Sequence, residues 1–196
     1  MQILFATTNP GKLHEVQSVA TTFGITVVSP TDIPLKDRGS PPEVCEDADT
    51  YEGNAALKAN AFWKWGGLTT LADDTGLEVT SLEQRPGVYS ARYAGVPPDS
   101  VKNVNKLLGE LKGVDNRSAR FVCVLHLKKS EGEIQVVKET LEGEIAHVPS
   151  GSGGFGYDNI FIVEGYYRTL AQLKEDGVPV LTHRLKALKK LFSSEK

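Results

Sequence analysis

Two adjacent aspartates, Asp73 and Asp74, stand between a short apolar run, Leu68 to Ala72, and the pair Thr75-Gly76. An apolar run that ends in acids and a glycine predicts a buried strand emptying into a loop, where open α/β sheets bind ligands. Like charges side by side repel, so a fold that keeps them needs a cation nearby. A divalent metal bound to phosphate is the commonest such cation. A solvated turn is the plainer reading of an isolated Asp-Asp. The other polar clusters of the chain decide between the two.

Thr7-Thr8-Asn9-Pro10-Gly11-Lys12 lies where a first strand gives way to a first helix. A helix N-terminus presents unpaired N–H groups and the positive end of a dipole, which suit phosphate. Lys12 adds charge, although the segment is no Walker A loop, because the leading glycine and the Lys-Ser/Thr pair are missing. Asn54 and Lys58 stand four apart on a predicted helix and share a face, with Glu46 in the loop just upstream. Gly151 to Gly156 matches G-x-G-x-x-G literally, but a strand follows it where a dinucleotide fingerprint needs a helix, so that reading is rejected. What survives is a loop, Gly156 included, whose backbone can approach a flat ligand, with an aromatic beside it, Phe155 or Tyr157, for stacking and Asp158 to accept from a base N–H. His183-Arg184 opens the last helix and offers donors to a carbonyl or a phosphate. His14, His126 and His147 show no ligand spacing with one another, which argues against zinc.

The elements that must position these groups follow from periodicity. Residues 2–7 predict a buried strand, 12–23 an amphipathic helix and 25–28 a second strand. A long loop is expected over 30–48. Asp49, three residues before Glu52, signals a helix start, and the alanine-rich segment runs to Gly66-Gly67. Residues 68–72 and 77–79 read as two short strands around the acidic turn. A loop over 86–98 precedes a helix marked by Val101 to Leu111. Residues 119–127 and 134–141 predict a long antiparallel hairpin. A strand over 160–163 and a helix over 182–192 complete the chain. The order implies a mixed sheet in an α/β fold, read as one domain over residues 1–196.

Composition narrows the function. The chain has 196 residues, 40% of them hydrophobic and 24% charged, the values of an ordinary globular protein. A net charge of −3 lacks the basic excess of a protein that grips nucleic acid. Two cysteines, Cys45 and Cys123, form no CxxC and suggest a reducing cytoplasm. No run reaches membrane-spanning length, and no secretory leader is evident.

Taken as an ordered set over almost the whole chain, these motifs resemble the inosine triphosphate pyrophosphatase family. The residues that carry the resemblance are Thr7 to Lys12, Glu46 with Asn54-Ala55 and Lys58, and Ala72 to Leu77. Pro86 to Tyr93, Gly153 to Asp158 and His183-Arg184 complete the set. The resemblance implies an elongated, twisted mixed sheet flanked by helices, two lobes with a nucleotide cleft, and a homodimer. It implies Mg²⁺-dependent hydrolysis of ITP, dITP and XTP to the monophosphate and pyrophosphate. It assigns Glu46 and Asp74 to the metal, and Asp74 as general base with Asp73 in support. Thr7, Thr8, Asn9, Pro10, Gly11, Lys12 and Lys58 would hold phosphate, and Thr75 the substrate. Phe155 to Asp158 with His183 and Arg184 would form the base pocket. One departure stands out: the family's lysine five residues before the His-Arg pair is Val178 here, and Lys174 lies nearby as a substitute. The alternatives are a Maf-type pyrophosphatase acting on other modified nucleotides and a nucleotide-binding module without catalysis.

Overall fold

A computed structural model describes residues 1–34 and 39–194. Part of the loop expected over 30–48 therefore lies outside the described residues. In chain order the elements are β1 (Gln2–Phe5), α1 (Pro10–Thr22), β2 (Thr26–Val28), α2 (Tyr51–Gly66), β3 (Thr70–Val79) and β4 (Pro86–Gly87). They continue with α3 (Ser100–Glu110), β5 (Ser118–Lys128), β6 (Ile134–Ile145), β7 (Phe161–Val163), α4 (Leu170–Glu175) and α5 (His183–Ser193). The strands form one mixed sheet in the order β2-β1-β3-β5-β6-β7, with β4 paired to β3. β1 runs parallel to β2 and β3, whereas β3–β4 and β6–β7 are antiparallel. β5 and β6 are neighbours joined by a short link, as the hairpin pattern predicts.

The chain divides into two compact units. One comprises residues 1–74, 123–139 and 184–196, and the other residues 75–122 and 140–183. In the first unit the sheet is covered on both faces. Leu71, Cys123, Leu125 and Leu127 pack with Val16, Val19 and Ala20 of α1 and with Ala187, Leu188 and Leu191 of α5. Leu4, Ala6 and Ala72 pack with Ala59 and Phe62 of α2. The second unit has one core, in which Leu77, Phe121 and Phe161 meet Val104 and Leu107 of α3 and Leu170 and Leu173 of α4.

The sequence expectation fails at the acidic pair. Residues 70–79 form one continuous strand, not two strands around a turn. Asp73 and Asp74 are therefore interior strand residues, 1% and 7% exposed. The strand survives because alternate side chains point to opposite faces, and each face brings its own cations to the carboxylate. Smaller differences lie at helix ends. α1 starts at Pro10, capped by Asn9, and α2 is capped by Thr50, not Asp49. α4 has no counterpart among the sequence-predicted helices. Among the described residues, no helix is long and apolar enough to cross a membrane.

Candidate active site

On the α1 and α5 face of β3, Asp73 shares a side with Leu71. The turn after β1 is folded by its own side chains. Thr7 Oγ1 accepts the Asn9 N–H at 3.2 Å, and Asn9 Oδ1 accepts the Lys12 N–H at 3.1 Å. Pro10 at the first helical position needs no N–H partner. This start directs Lys12 inward, where Nζ lies 3.1 and 3.0 Å from the two oxygens of Asp73. Arg184, near the start of α5, donates from Nε to Asp73 Oδ2 at 3.1 Å. Its Nη1 donates to Glu15 Oε2 at 2.5 Å. The result is a linked row of alternating charges: Lys12, Asp73, Arg184, Glu15. Burial pushes the Asp73 carboxyl up, but Lys12, Arg184 and Lys58 together outweigh it and hold the group well below the usual carboxylate range.

On the α2 face, Asp74 shares a side with Ala72. Asn54 Nδ2 donates to Asp74 Oδ2 at 3.2 Å, while Asn54 Oδ1 accepts the Ala48 N–H at 3.0 Å. Asn54 thus ties the loop before α2 to the acid. One turn along the same helix face, Lys58 Nζ lies 2.9 Å from Glu46 Oε2 and 3.9 Å from Asp74 Oδ1. Burial raises the Asp74 carboxyl to about 6, partly offset by Lys58 and Asn54, with the Glu46 charge adding to the rise. Burial alone would lower the Lys58 ammonium, but Asp73, Glu46 and Asp74 more than compensate and raise it.

Two carboxylates, Glu46 and Asp74, therefore converge on one cation, Lys58. Among the described residues there is no cluster of three or more His, Cys, Asp or Glu side chains fit to hold a metal. Two hard carboxylates with water and phosphate completing the shell is the donor set magnesium takes, and a softer metal would want nitrogen or sulfur. The residues present fit Mg²⁺ on that chemistry.

The sequence-nominated residues of the second unit form their own arrangement. Thr75 continues β3 beyond Asp74. The Phe155 N–H donates to Asp158 Oδ2 at 3.0 Å, and Phe155 remains 39% exposed. Tyr157 is buried, and its hydroxyl donates to the Ser90 carbonyl at 2.8 Å. Ser90 Oγ in turn accepts the Leu77 N–H at 2.8 Å and donates to the Gly87 carbonyl at 2.6 Å. The Pro86-to-Tyr93 motif thereby fixes the glycine loop to β3. His183 is buried and stacks on Phe121, centroids 4.9 Å apart. Val178 packs against the core of this unit, while Lys174 Nζ lies 3.0 Å from Asp158 Oδ2.

The structure thus gathers Lys12, Asp73 and Arg184 in one cluster, and Glu46, Asn54, Lys58 and Asp74 in another. Asp73 and Asp74 point to opposite faces of β3, and Lys58, 3.9 Å from Asp74, also helps hold Asp73 ionised. Arg184, expected at a base carbonyl, has Nε and Nη1 directed to Asp73 and Glu15 and is 2% exposed. Glu15 escaped the sequence reading. Its signal was present, since it stands three residues after Lys12 and so shares that helix face.

A protein-family model described as the Ham1 family matches residues 3–194. The chain belongs to the Ham1 family. Curated relatives in it include proteins named dITP/XTP pyrophosphatase. One from Exiguobacterium sp. is 46% identical, with 97% of this chain and 95% of the relative aligned. One from Bacillus subtilis is 42% identical, over 97% and 94%. Among solved structures, the Staphylococcus aureus Ham1 protein matches with a TM-score of 0.85 and 37% identity, covering 100% of both chains. A Coxiella burnetii HAM1 protein matches with a TM-score of 0.87 and 36% identity, over 99% of this chain and 98% of the other. Ham1 membership meets the expectation drawn from the motifs, including the mixed α/β fold, and sets the Maf-type alternative aside.

Proposed function

We propose that this Ham1 protein hydrolyses non-standard purine nucleoside triphosphates, ITP, dITP and XTP, to the monophosphate and pyrophosphate. The observation that carries the reading is the Asp74 site, where a buried carboxylate raised to about 6 shares a lysine with Glu46. The names of the aligned relatives support the substrate class. A carboxylate with that affinity for protons suits a general base working near neutrality. In this reading Asp74 takes a proton from the attacking water as its oxygen bonds to the α-phosphorus. The bond from the α-phosphorus to the bridging oxygen breaks, and pyrophosphate leaves.

Glu46 and Asp74 would hold Mg²⁺, which when bound neutralises charge on the phosphates and the leaving group. Lys58 neutralises the same carboxylates and, with Lys12 and the Thr7-to-Gly11 turn, meets the triphosphate. Asp73 supports Asp74 indirectly, by fixing Lys12 and Arg184. Asn54 orients the Asp74 carboxylate. Thr75, Phe155 to Asp158 and His183 are assigned to the nucleoside. The cellular use is removal of deaminated purines from the cytoplasmic nucleotide pool, by a homodimer.

Pyrophosphate release measured across ITP, XTP, dITP, ATP, GTP and dTTP, with and without Mg²⁺, tests the proposal. Strong, Mg²⁺-dependent preference for the oxo-purines is expected. Equal turnover of ATP and ITP, or binding with no release, would overturn it.

A further inference from the structure

Lys174 extends from α4 toward the exposed aromatic of the glycine loop. Its ammonium lies 3.0 Å from Asp158 Oδ2 and 5.2 Å from the centre of the Phe155 ring. The same Asp158 oxygen accepts the Phe155 N–H, so one carboxylate anchors both the aromatic and the cation. Asp158 is 5% exposed and Lys174 keeps about a quarter of its side chain in solvent, so the pair is rooted in the fold and ends at the surface.

The loop is built around this lysine. A Cβ added at Gly154 would lie 2.1 Å from Asp158 Oδ2 and 3.1 Å from Lys174 Cδ. One at Gly153 would lie 2.5 Å from the Ala171 carbonyl and 3.1 Å from Lys174 Cβ. Gly154 also adopts a φ of +85°, which side-chain-bearing residues rarely hold. Any larger residue at either position drives α4 and its lysine off the loop. α4 itself is fixed at its start, where Thr169 Oγ1 accepts the Gln172 N–H and Gln172 Oε1 accepts the Thr169 N–H.

We propose that Lys174 is a specificity-determining residue: held on Asp158 beside the Phe155 ring, its ammonium reads the oxygen-bearing edge of a purine stacked on that ring. The proposal rests on the function proposed above. An ammonium has donors and no acceptor. It satisfies a carbonyl oxygen and repels an exocyclic amine, whose N–H groups find no acceptor there. That asymmetry favours an oxo-purine over adenine, because a mismatched polar contact at a desolvated edge is costly.

The test compares Lys174→Met and Lys174→Arg with the parent protein, reading kcat and KM separately for ITP, XTP and ATP. Lys174→Met is expected to lower kcat/KM for ITP and XTP by about 10- to 100-fold, chiefly through KM, and that for ATP far less. Lys174→Arg, which keeps the charge and the donors, should recover most of the preference. An ITP-to-ATP ratio unchanged in Lys174→Met would overturn the role of the lysine while leaving the proposed reaction standing. An equal loss for all three triphosphates would do the same, since it would show only a damaged loop. A parent protein that turns over none of them would instead refute the proposed reaction and the lysine's role with it.

Discussion

The two faces of β3 treat neighbouring aspartates in opposite ways. On the α1 and α5 face, Asp73 meets Lys12 and Arg184 within 3.1 Å and is held well below the usual carboxylate range. On the α2 face, Asp74 meets the Asn54 amide at 3.2 Å and the Lys58 ammonium at 3.9 Å, and burial lifts it to about 6. The first arrangement is saturated: a carboxylate with that many cations neither takes a proton nor recruits a metal. In the second, burial outweighs Lys58 and Asn54, and a carboxylate raised in that way suits a base working near neutrality. The difference teaches that a like-charged pair need not act as a dyad. One strand step, by turning side chains to opposite faces, is enough to hold one acid well below the usual carboxylate range and to lift its neighbour above it.

The largest expected effect separates the two in activity. Asp74→Asn should lose about 10³-fold or more in pyrophosphate release from ITP, with nucleotide binding by calorimetry largely preserved. Turnover within a few-fold of the parent would break the assignment. Asp73→Asn should instead fail in stability. It leaves Lys12 and Arg184 without their shared carboxylate, and removing one partner of a buried ion pair costs about 3–5 kcal/mol. Denaturant melts should show that loss. A midpoint equal to that of the parent would mean that Asp73 is not the counter-ion described.

A pH series sharpens the contrast, because the two shifts have opposite signs. Asp73 is depressed, so its contribution to stability is present above the unfolded value near pH 4 and is lost as pH falls through its folded value. Asp74 is raised, so its contribution is present below about pH 4 and is lost as pH rises through about 6. In metal-free buffer, Asp74→Asn should therefore become more stable relative to the parent between pH 4 and pH 8, by roughly 2–3 kcal/mol. A flat difference across that range would contradict the raised value. The smallest effect belongs to Glu15→Gln. Arg184 keeps Asp73 but loses a charged acceptor, and the melt should fall by about 1–2 kcal/mol with the ITP-to-ATP ratio little changed.

Much of this site is visible in the sequence because it depends on local rules. Asn54 and Lys58 fall on one helix face by spacing alone, and Thr7 to Lys12 reads as a capped helix start from residue type. The mid-strand position of Asp73-Asp74 was hidden, since two adjacent acids and a glycine are poor strand formers. Only cations from distant parts of the chain, Lys12, Lys58 and Arg184, make a strand there tolerable. The anchoring of Arg184 was hidden for the same reason, as its partners Asp73 and Glu15 are remote in sequence. α4 was legible yet missed: Thr169 and Gln172 spell a capping box ahead of Leu170, Ala171 and Leu173. The site-relevant part of that oversight is Lys174, whose direction follows once the helix is placed.

The central claim is that β3 divides its two aspartates into a fixed counter-ion and a reactive carboxylate. Carbon-13 carboxyl NMR, titrating the metal-free protein with assigned Asp73 and Asp74 signals, measures this directly. The account predicts that Asp74 titrates with a midpoint near 6 while Asp73 stays ionised until the fold is lost in acid. Two midpoints together near 4, or the order reversed, would contradict it.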